Sequence, residues 1–398
     1  MTPSDSVGRR DLLRVAGVAG AAVVAGCTNG ESGDSSPTNA TAPSGSTSDA
    51  IPQEWPMTGD PVEEVEPLEE ALLDYMRERE ISAGALAVSN YGDVIYERGF
   101  GWADGDRTTP VDPDALFRIG SVSKPITDAA VRRLVDDGRL ELDDRVYPFL
   151  EIDPPSDGLG DERFREIEVG HLLAHQGGWD RRESIDPTFE PFTVAESLGL
   201  SRPPTADDVV RYVLGQPLQF DPGERSAYSN VGYSVLAKVV EGASGRTYQD
   251  FLREAVLDPV DATEIRRGRT APDDRPPREV AYDDSERCPN AAALEADDRV
   301  SCADGGIVLE ALEGACGHVA TAGSLLSFMD AYWLDGQTRS SRDGEWVYFG
   351  SLPGAFAMAT QRADGIDVVA LFNRRTGDAE GIHPILSEAA NRVDDWPY

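Results

Sequence analysis

Lysine is almost absent from this chain of 398 residues: only Lys124 and Lys238 occur, and the other basic residues are arginines. Basic residues of any kind are scarce, with 36 against 72 acidic ones and a net charge of -36 at pH 7. Because such repulsion destabilises a compact chain unless salt screens it, the composition indicates adaptation to high salt. Nucleic acid is a disfavoured partner, since its phosphates would be repelled. A disordered acidic chain is excluded because 40% of the residues are hydrophobic.

Several sequence motifs that would indicate a metal site or another class of hydrolase are also absent. The four cysteines form no C-x-x-C pair, so neither a metal site nor a cofactor is indicated. His171 and His175 lie four residues apart, but no acidic residue follows His171 as H-E-x-x-H chemistry requires, and we interpret both as structural. No G-x-S-x-G occurs, which disfavours a Ser-His-Asp hydrolase of the doubly wound type.

The apolar run from Val15 to Ala25 is too short to span a bilayer by itself. It follows Arg9-Arg10, which resembles a twin-arginine export motif, and ends at Cys27 in a Val-Ala-Gly-Cys that resembles a bacterial lipobox. The resemblance implies cleavage before Cys27 and lipid attachment to its sulfur. We therefore predict an extracytoplasmic protein anchored to the outer face of the cell membrane. The alternative is a plain signal peptide or membrane anchor in which Cys27 is incidental.

Three segments follow from composition. Residues 1–27 form the predicted lipoprotein signal, and residues 28–60, rich in Ser, Thr, Gly and Pro, are predicted to be a flexible tether. Residues 61–398 are long enough for one large domain with its own core. Since an exported protein meets an oxidising compartment, one disulfide is expected, and we favour Cys288–Cys302 over pairings with Cys316.

Hydrophobic periodicity predicts antiparallel strands near both ends of the domain and helices between them. An apolar stripe from Val65 to Met76 predicts the opening helix, residues 85–99 a β-hairpin, and residues 317–329 another helix. Residues 261–305 are acidic and weakly periodic, and we interpret them as a long surface excursion. Three late strands are predicted at residues 346–349, 356–360 and 368–372. This arrangement favours an α+β fold.

One short stretch holds Ser121 and Lys124 three residues apart, an S-x-x-K. On a helix these positions share a face, so the amine can lie beside the hydroxyl. A serine becomes a useful nucleophile when a neighbouring base accepts its proton. Arginine cannot serve as that base near neutral pH. One of only two lysines placed beside a serine therefore indicates that the amine is needed.

Four sequence pieces occur in a recognisable order. They are Phe-Arg-Ile-Gly-Ser-Val-Ser-Lys at 117–124, His-Leu-Leu-Ala-His at 171–175, Pro-Gly-Glu at 222–224 and Tyr-Ser-Asn at 228–230. Together they resemble the serine β-lactamase-related family, which includes class C β-lactamases, D-alanyl-D-alanine carboxypeptidases and carboxylesterases. The resemblance implies a β-lactamase/transpeptidase-like fold, in which an antiparallel sheet is flanked by helices and carries an inserted, mostly helical region.

The resemblance also implies roles. Ser121 would attack a carbonyl and form an acyl-enzyme, and Lys124 would accept or relay its proton. Tyr228 would pass a proton to the leaving group, or act as the base when ionised. Asn230 would hydrogen-bond Lys124 and the substrate. The oxyanion hole would use the backbone N–H groups of Ser121 and Ser351.

The family's third motif, Lys-Thr-Gly or His-x-Gly, is matched best by Tyr348-Phe349-Gly350. Here Tyr348 replaces the cation that would hold a substrate carboxylate. We therefore predict substrate contacts from Tyr348, Phe349 and Gly350, with an aromatic wall suited to a neutral ester or amide.

The leading prediction is a membrane-anchored serine hydrolase, an esterase or amidase, which acts as a monomer on a small-molecule ester or amide. The alternative among enzymes is a β-lactamase or D,D-carboxypeptidase. The alternative from another class is a non-catalytic surface-binding lipoprotein that keeps the fold, but its expected mark, a broken Ser–Lys–Tyr set, is not found in this sequence.

Overall fold

The computed structural model describes residues 55–155, 158–294 and 298–397, so the predicted signal, Cys27 and most of the predicted tether lie outside the described residues. Strands and helices are numbered separately in chain order. The strands are β1 (Met57–Thr58), β2 (Ala83–Asn90), β3 (Asp93–Gly101), β4 (Phe117–Arg118), β5 (Arg266–Arg267), β6 (Arg287–Pro289), β7 (Arg299–Ser301), β8 (His318–Ala320), β9 (Trp346–Leu352), β10 (Ala355–Gln361) and β11 (Ile366–Phe372). The helices are α1 (Glu66–Glu78), α2 (Ser123–Asp136), α3 (Val169–Leu173), α4 (Pro191–Leu198), α5 (Ala206–Leu214), α6 (Asn230–Ser244), α7 (Tyr248–Leu252), α8 (Ala322–Ala331) and α9 (Ile382–Ala390).

The main sheet joins strands from both ends of the chain. Its order is β1-β3-β2-β11-β10-β9, and every neighbouring pair is antiparallel. Strands β2, β10 and β11 are buried along their whole length, as expected when both faces of a sheet are covered. The predicted α+β fold with an antiparallel sheet flanked by helices is confirmed.

Successive residues of β2 point to opposite faces of the sheet, and each face packs on different helices. Ala85 and Ala87 belong to the same core cluster as Leu325 of α8. Gly84 lies against Met76 of α1, where an added Cβ would come within 2.8 Å of the Met76 sulfur. Helices α1 and α9 pack on each other, and α8 packs on β2 and β11.

Helices α2 and α6 pack against each other on the side of α8 and bring their first turns together. Both helices are buried over most of their length, since α2 buries a run from Ser123 to Val131 and α6 a run from Asn230 to Val240. The polar residues that begin the two helices are therefore held inside the domain rather than in solvent.

No helix in the described part of the chain is both long and apolar enough to cross a membrane.

Most of the predicted elements are confirmed. The opening helix, the hairpin of β2 and β3, and the three late strands are present. The prediction of a helix from residue 317 is wrong at its start, since His318–Ala320 is strand β8 and the helix begins at Ala322. The Thr321 side chain caps that helix by accepting a hydrogen bond from the Ser324 N–H, which fixes where it begins.

Residues 261–305 are not merely a surface excursion. Strand β5 pairs with β8, and the Tyr282 hydroxyl accepts a hydrogen bond of 2.9 Å from the Arg118 N–H, directly before the S-x-x-K. The predicted Cys288–Cys302 disulfide is present and ties this region together. Weak periodicity misled the interpretation because buried polar contacts, such as that of Tyr282, hold the segment in place.

Edge strand β9 lies directly against the turn that carries Ser121. A Cβ built on Gly350 would lie 1.8 Å from the Ile119 carbonyl oxygen and 3.0 Å from the Ser121 nitrogen. Such a distance is far inside van der Waals contact, so only glycine permits this approach. Gly350 therefore sets how closely the strand and the serine turn can lie.

We predict that Gly350→Ala pushes β9 away from the serine turn and lowers stability by about 1–3 kcal/mol, the usual cost of overpacking. Gly377→Ala is the matched control, since no atom lies within 4 Å of the Cβ that it adds. Thermal unfolding of both variants in molar salt measures the difference. Equal melting temperatures would contradict the close approach.

Candidate active site

Ser121 lies in the 3-10 turn Gly120–Val122, which runs straight into α2. The Lys124 amine reaches back and donates to the Ser121 Oγ at 3.2 Å. It also donates to Asn230 Oδ1 at 2.7 Å and to the Ala315 carbonyl at 3.0 Å. The Lys124 side chain is fully buried, whereas Ser121 is half-buried and open to one side. The structure thus brings the S-x-x-K pair together with a residue from α6.

Tyr228 precedes α6 and completes the contact around the serine. Its hydroxyl donates to Ser121 Oγ at 2.7 Å, and the Lys124 Nζ lies 4.8 Å from the centre of its ring. His175 stacks against that ring at 4.7 Å and accepts a hydrogen bond from the Ser229 N–H through Nδ1. Burial, followed by the charge of Lys124, lowers the pKa of His175 to about 3, so this histidine is a neutral support for Tyr228.

Asn230 is the first residue of α6 and is held from both ends of its amide. Its Oδ1 accepts from Lys124, while its Nδ2 donates to Asp186 Oδ2 at 2.8 Å. Asp186 is itself fixed, because Oδ1 accepts from the Thr188 hydroxyl at 2.5 Å. Sequence reasoning missed Asp186, since it belongs to an irregular loop and matches no motif. Its role is to turn the Asn230 oxygen toward the amine.

The structure places the predicted third motif beside the nucleophile. A Cβ on Gly120 would lie 2.7 Å from the Ser351 nitrogen, so the backbone of β9 and that of the serine turn meet here. The two predicted donors of the oxyanion hole, the N–H of Ser121 and that of Ser351, thus lie close to each other. Burial, followed by the neighbouring Tyr228 and Asp128, holds the pKa of Tyr348 well above its ordinary value. Tyr348 is therefore a neutral group beside Tyr228.

The prediction that the Phe349 side chain belongs to the aromatic wall is wrong. Its ring stacks on Phe356 at 5.8 Å and meets the edge of His383 in α9, on the other face of the sheet from Tyr348. Neighbouring residues of a strand point to opposite faces, so the two aromatic side chains cannot line one wall. The wall beside the nucleophile is formed by Tyr348 and not by the Phe349 side chain.

Cys316 is a member of the cluster that the sequence interpretation did not include. Its sulfur lies 3.5 Å from Ser121 Oγ, 3.6 Å from Lys124 Nζ and 3.6 Å from Asn230 Oδ1, and the residue is buried. The cysteine count was the one feature of the sequence that could have drawn attention to Cys316, because pairing Cys288 with Cys302 leaves it as the unpaired cysteine of the domain. Nothing in its sequence neighbourhood indicates proximity to Ser121.

Charge in this cluster centres on Lys124. Burial disfavours its ammonium form, but the neighbouring Cys316 and Tyr228 favour it, and together they raise the pKa of the amine. Lys124 is therefore charged in the resting site. One turn further along α2, burial raises the pKa of Asp128 to about 8, and its Oδ2 accepts a hydrogen bond from Tyr233 at 3.2 Å. Asp128 is thus a neutral acid at neutral pH.

The fold and this site define a class of protein. A model of the Beta-lactamase family matches residues 68–377, most of the chain. The chain therefore belongs to the Beta-lactamase family, whose members of this fold are serine hydrolases. The resemblance noted in the sequence is confirmed at the level of the family.

Individual relatives are more distant. Over 188 residues the chain is 32% identical to esterase EstB of Burkholderia gladioli, covering 46% of this chain and 47% of the esterase. Over 200 residues it is 27% identical to a penicillin-binding protein of Bacillus subtilis, covering 50% of this chain and 40% of that protein. The matches thus span less than half the length of these curated relatives.

Among solved structures, the fold is similar to the D-amino acid amidase of Ochrobactrum anthropi SV3. The TM-score is 0.61 at 20% identity, covering 84% of this chain and 100% of the amidase. It is also similar to the octameric penicillin-binding protein homologue of Pyrococcus abyssi, with a TM-score of 0.59 at 20% identity, covering 82% of this chain and 77% of the homologue. At this identity the likeness concerns the fold.

We predict that Asp128→Asn gains stability relative to the native chain as pH rises. A carboxyl whose pKa is raised from 3.8 to about 8 contributes its full stability below 3.8 and loses it as pH rises through about 8. Asparagine cannot ionise, so the difference in unfolding free energy between variant and native chain should grow across that window. Denaturant unfolding at several pH values measures it, and the titration of His175 cancels between the two proteins. A difference that does not change with pH would refute the buried neutral acid.

Proposed function

We propose that this protein is a serine hydrolase that cleaves an ester or amide bond through an acyl-enzyme on Ser121. The observation that carries the proposal is the contact of Ser121 Oγ with both Tyr228 Oη, at 2.7 Å, and Lys124 Nζ, at 3.2 Å. A hydroxyl held between a phenol and a buried amine is in the setting that activated nucleophiles require.

In the proposed acylation, Ser121 Oγ bonds to the carbonyl carbon and the carbonyl electrons move onto its oxygen. That oxyanion is received by the N–H groups of Ser121 and Ser351, which cost no reorganisation because the Gly350 contact already fixes them. Tyr228 takes up the Ser121 proton as it gives its own proton to the departing oxygen or nitrogen, so the phenol is unchanged at the end of the step. Since Lys124 is charged, it supplies a positive charge beside Oγ rather than a lone pair that takes up a proton.

The proposed substrate carries no carboxylate beside its scissile bond. Tyr348 occupies the position of the family's third-motif cation and is neutral, so it offers a hydroxyl where a carboxylate anchor would be needed. Beside Tyr228 a small cleft is lined by Trp179, Ile185 and other residues.

The alternative function is that of a β-lactamase or D,D-carboxypeptidase, and one observation supports it. Arg181 lines the same cleft, with its guanidinium 5.0 Å from the centre of the Tyr228 ring. An arginine there can hold a carboxylate that enters from the side of the cleft. Hydrolysis of a chromogenic cephalosporin that disappears in Ser121→Ala would favour this alternative.

We predict that the purified protein hydrolyses short-chain nitrophenyl esters in molar salt and that Ser121→Ala lowers kcat/KM by about a thousandfold or more. Ser351→Ala is the matched control within the site. It keeps the backbone N–H, so it should lose less than about the hundredfold that removal of an oxyanion donor costs.

Two results would count against the proposed hydrolase. Equal activity of Ser121→Ala and the native chain would remove Ser121 as the nucleophile. Failure of a serine-reactive phosphonate to label the folded native chain would favour the non-catalytic, surface-binding alternative.

We further propose that the protein is exported and held by a lipid on Cys27. The support is the lipobox-like Val-Ala-Gly-Cys at 24–27 after the apolar run. We predict that Cys27→Ser moves the protein from the membrane fraction to the soluble fraction, since the acyl chains that hold it are absent. Thr28→Ala is the control and should stay with membranes. Membrane retention of Cys27→Ser after extraction with high salt would contradict the anchor.

A further inference from the structure

The Lys124 amine depends on a short segment, residues 313–318, for one of its three oxygen acceptors. Its hydrogens are directed to Ser121 Oγ, to Asn230 Oδ1 and to the Ala315 carbonyl oxygen, the last at 3.0 Å. The first two acceptors lie at the ends of helices, whereas Ala315 lies in a turn that leads into β8. The position of its carbonyl therefore depends on what holds residues 313–318.

The same segment is in contact with the backbone on both sides of the nucleophile. The N–H of Ile119, at the start of the serine turn, donates to the His318 carbonyl at 3.1 Å. In the first turns of α2, one turn after Lys124, the Thr127 hydroxyl donates to the Gly314 carbonyl at 2.7 Å. A displacement of the segment would therefore move an acceptor of the amine relative to the serine.

The first residue of the segment, Glu313, is held by the second lysine of the chain. Glu313 and Lys238 form an ion pair at 3.2 Å, and each side chain is only 7% exposed. The other Glu313 oxygen accepts a hydrogen bond of 3.2 Å from Gln249. Lys238 lies on α6, the helix that begins at Asn230. The ion pair thus ties the segment to the helix whose first residue also holds the Lys124 amine.

The surroundings of Lys238 suit a compact ammonium. It meets three carboxylates, because Asp207 at 2.8 Å and Glu241 at 2.9 Å join Glu313. An ammonium directs three hydrogens from one nitrogen, whereas a guanidinium spreads its five over a plane. Burial disfavours the charged form, but the three carboxylates outweigh it and raise the pKa of Lys238. Lys238 is therefore charged at neutral pH, and Glu313 has its counter-charge inside the protein.

Stability alone does not account for a buried pair at this place. Replacing such a pair by uncharged residues of similar size commonly leaves a protein equally stable or more so. The residue after Glu313 is Gly314, which has a φ of +78° and restrains its own backbone less than any other residue type would. The fixed side chain of Glu313 supplies the restraint that this glycine lacks, one residue before Ala315.

We propose that Lys238 and Glu313 are positioning residues, whose ion pair holds the Ala315 carbonyl where the Lys124 amine needs an acceptor. With that acceptor in place the amine is directed at Ser121. Without it, one hydrogen of a buried ammonium has no fixed partner, and the amine turns away from the serine. The inference rests on the proposed function, since it concerns the geometry of that site.

The scarcity of lysine makes the amine directly observable. In protein grown with 13C,15N-labelled lysine, NMR detects the side chains of two lysines, and Lys238→Met identifies the signal of Lys124. Adding Glu313→Gln to Lys238→Met removes one charge of each sign, so the net charge is unchanged. We expect this paired variant to move the Lys124 signal from its native position in a chain whose circular dichroism shows it folded. A Lys124 signal at its native position would overturn the proposal.

A milder variant covers the case in which the paired variant does not fold. Glu313→Gln alone keeps the shape of the side chain and an oxygen for Gln249, but it has no charge for Lys238. It should also move the Lys124 signal. An unmoved signal in this folded variant would count against the ion pair as the restraint.

A second enclosed ion pair serves as the matched control. Arg98 pairs with Glu69 at 2.6 Å, with side chains 8% and 16% exposed. This pair joins β3 to α1, on the side of the sheet remote from β9. Arg98→Met with Glu69→Gln should leave the Lys124 signal in place. An equal displacement would show that the loss of any enclosed pair disturbs the site, which would overturn the specific role.

Kinetics separate positioning from substrate binding. The paired variant of Lys238 and Glu313 should lower kcat about tenfold or more with KM little changed, since the amine acts on Ser121. Lys238→Arg keeps a positive charge beside Glu313 and should retain more of kcat than Lys238→Met. A folded paired variant with native kcat would overturn the role. If the native chain hydrolyses no ester while the Lys124 signal responds as expected, the proposed function fails and the positioning contact stands.

Discussion

The burial of one amine is the constraint on which the rest of the site depends. Lys124 has no access to solvent, so every hydrogen that it carries needs a partner inside the protein. Those partners come from α6 through Asn230, from the backbone at Ala315 and from the serine turn itself. Three segments that are remote in the chain are therefore held in register by one side chain. An error in any of them would leave a charge buried without partners, which is why the cluster acts as a unit.

The same constraint explains why the supporting residues are aromatic or neutral. His175 stacks on Tyr228 and has its pKa lowered by burial and by the Lys124 charge, so it adds no second positive charge. Asp128 remains protonated at neutral pH, and Tyr348 remains a phenol. The environment thus suppresses charge on the groups around the amine and concentrates it near Ser121. Such an arrangement favours reactions in which charge develops on a bound carbonyl.

Charged side chains on the surface are arranged differently from those in the candidate active site. Most cations of this acidic chain are arginines, and many pair with carboxylates at exposed positions, as in Arg165 with Glu162 at 3.0 Å and Arg225 with Glu183 at 2.7 Å. Exposed pairs of this kind contribute little individually and are weakened by salt. Their abundance suits a chain whose excess negative charge is screened by its solvent. The two lysines are both buried, where a compact amine can be enclosed by its partners.

The sequence by itself determined the chemistry carried in local spacing. The turn from Ser121 to Lys124, the Tyr228–Asn230 pair and the late strands are readable from the sequence, because periodicity and short motifs depend on neighbours in the chain. Tertiary structure alone decided which remote groups meet them. Asp186 reaches Asn230 from an irregular loop, and Cys316 reaches Ser121 from 195 residues away. It also turned Phe349 away from the nucleophile, since a strand alternates its side chains. Spacing fixes what a segment can do, whereas packing fixes what it touches and therefore which groups are charged.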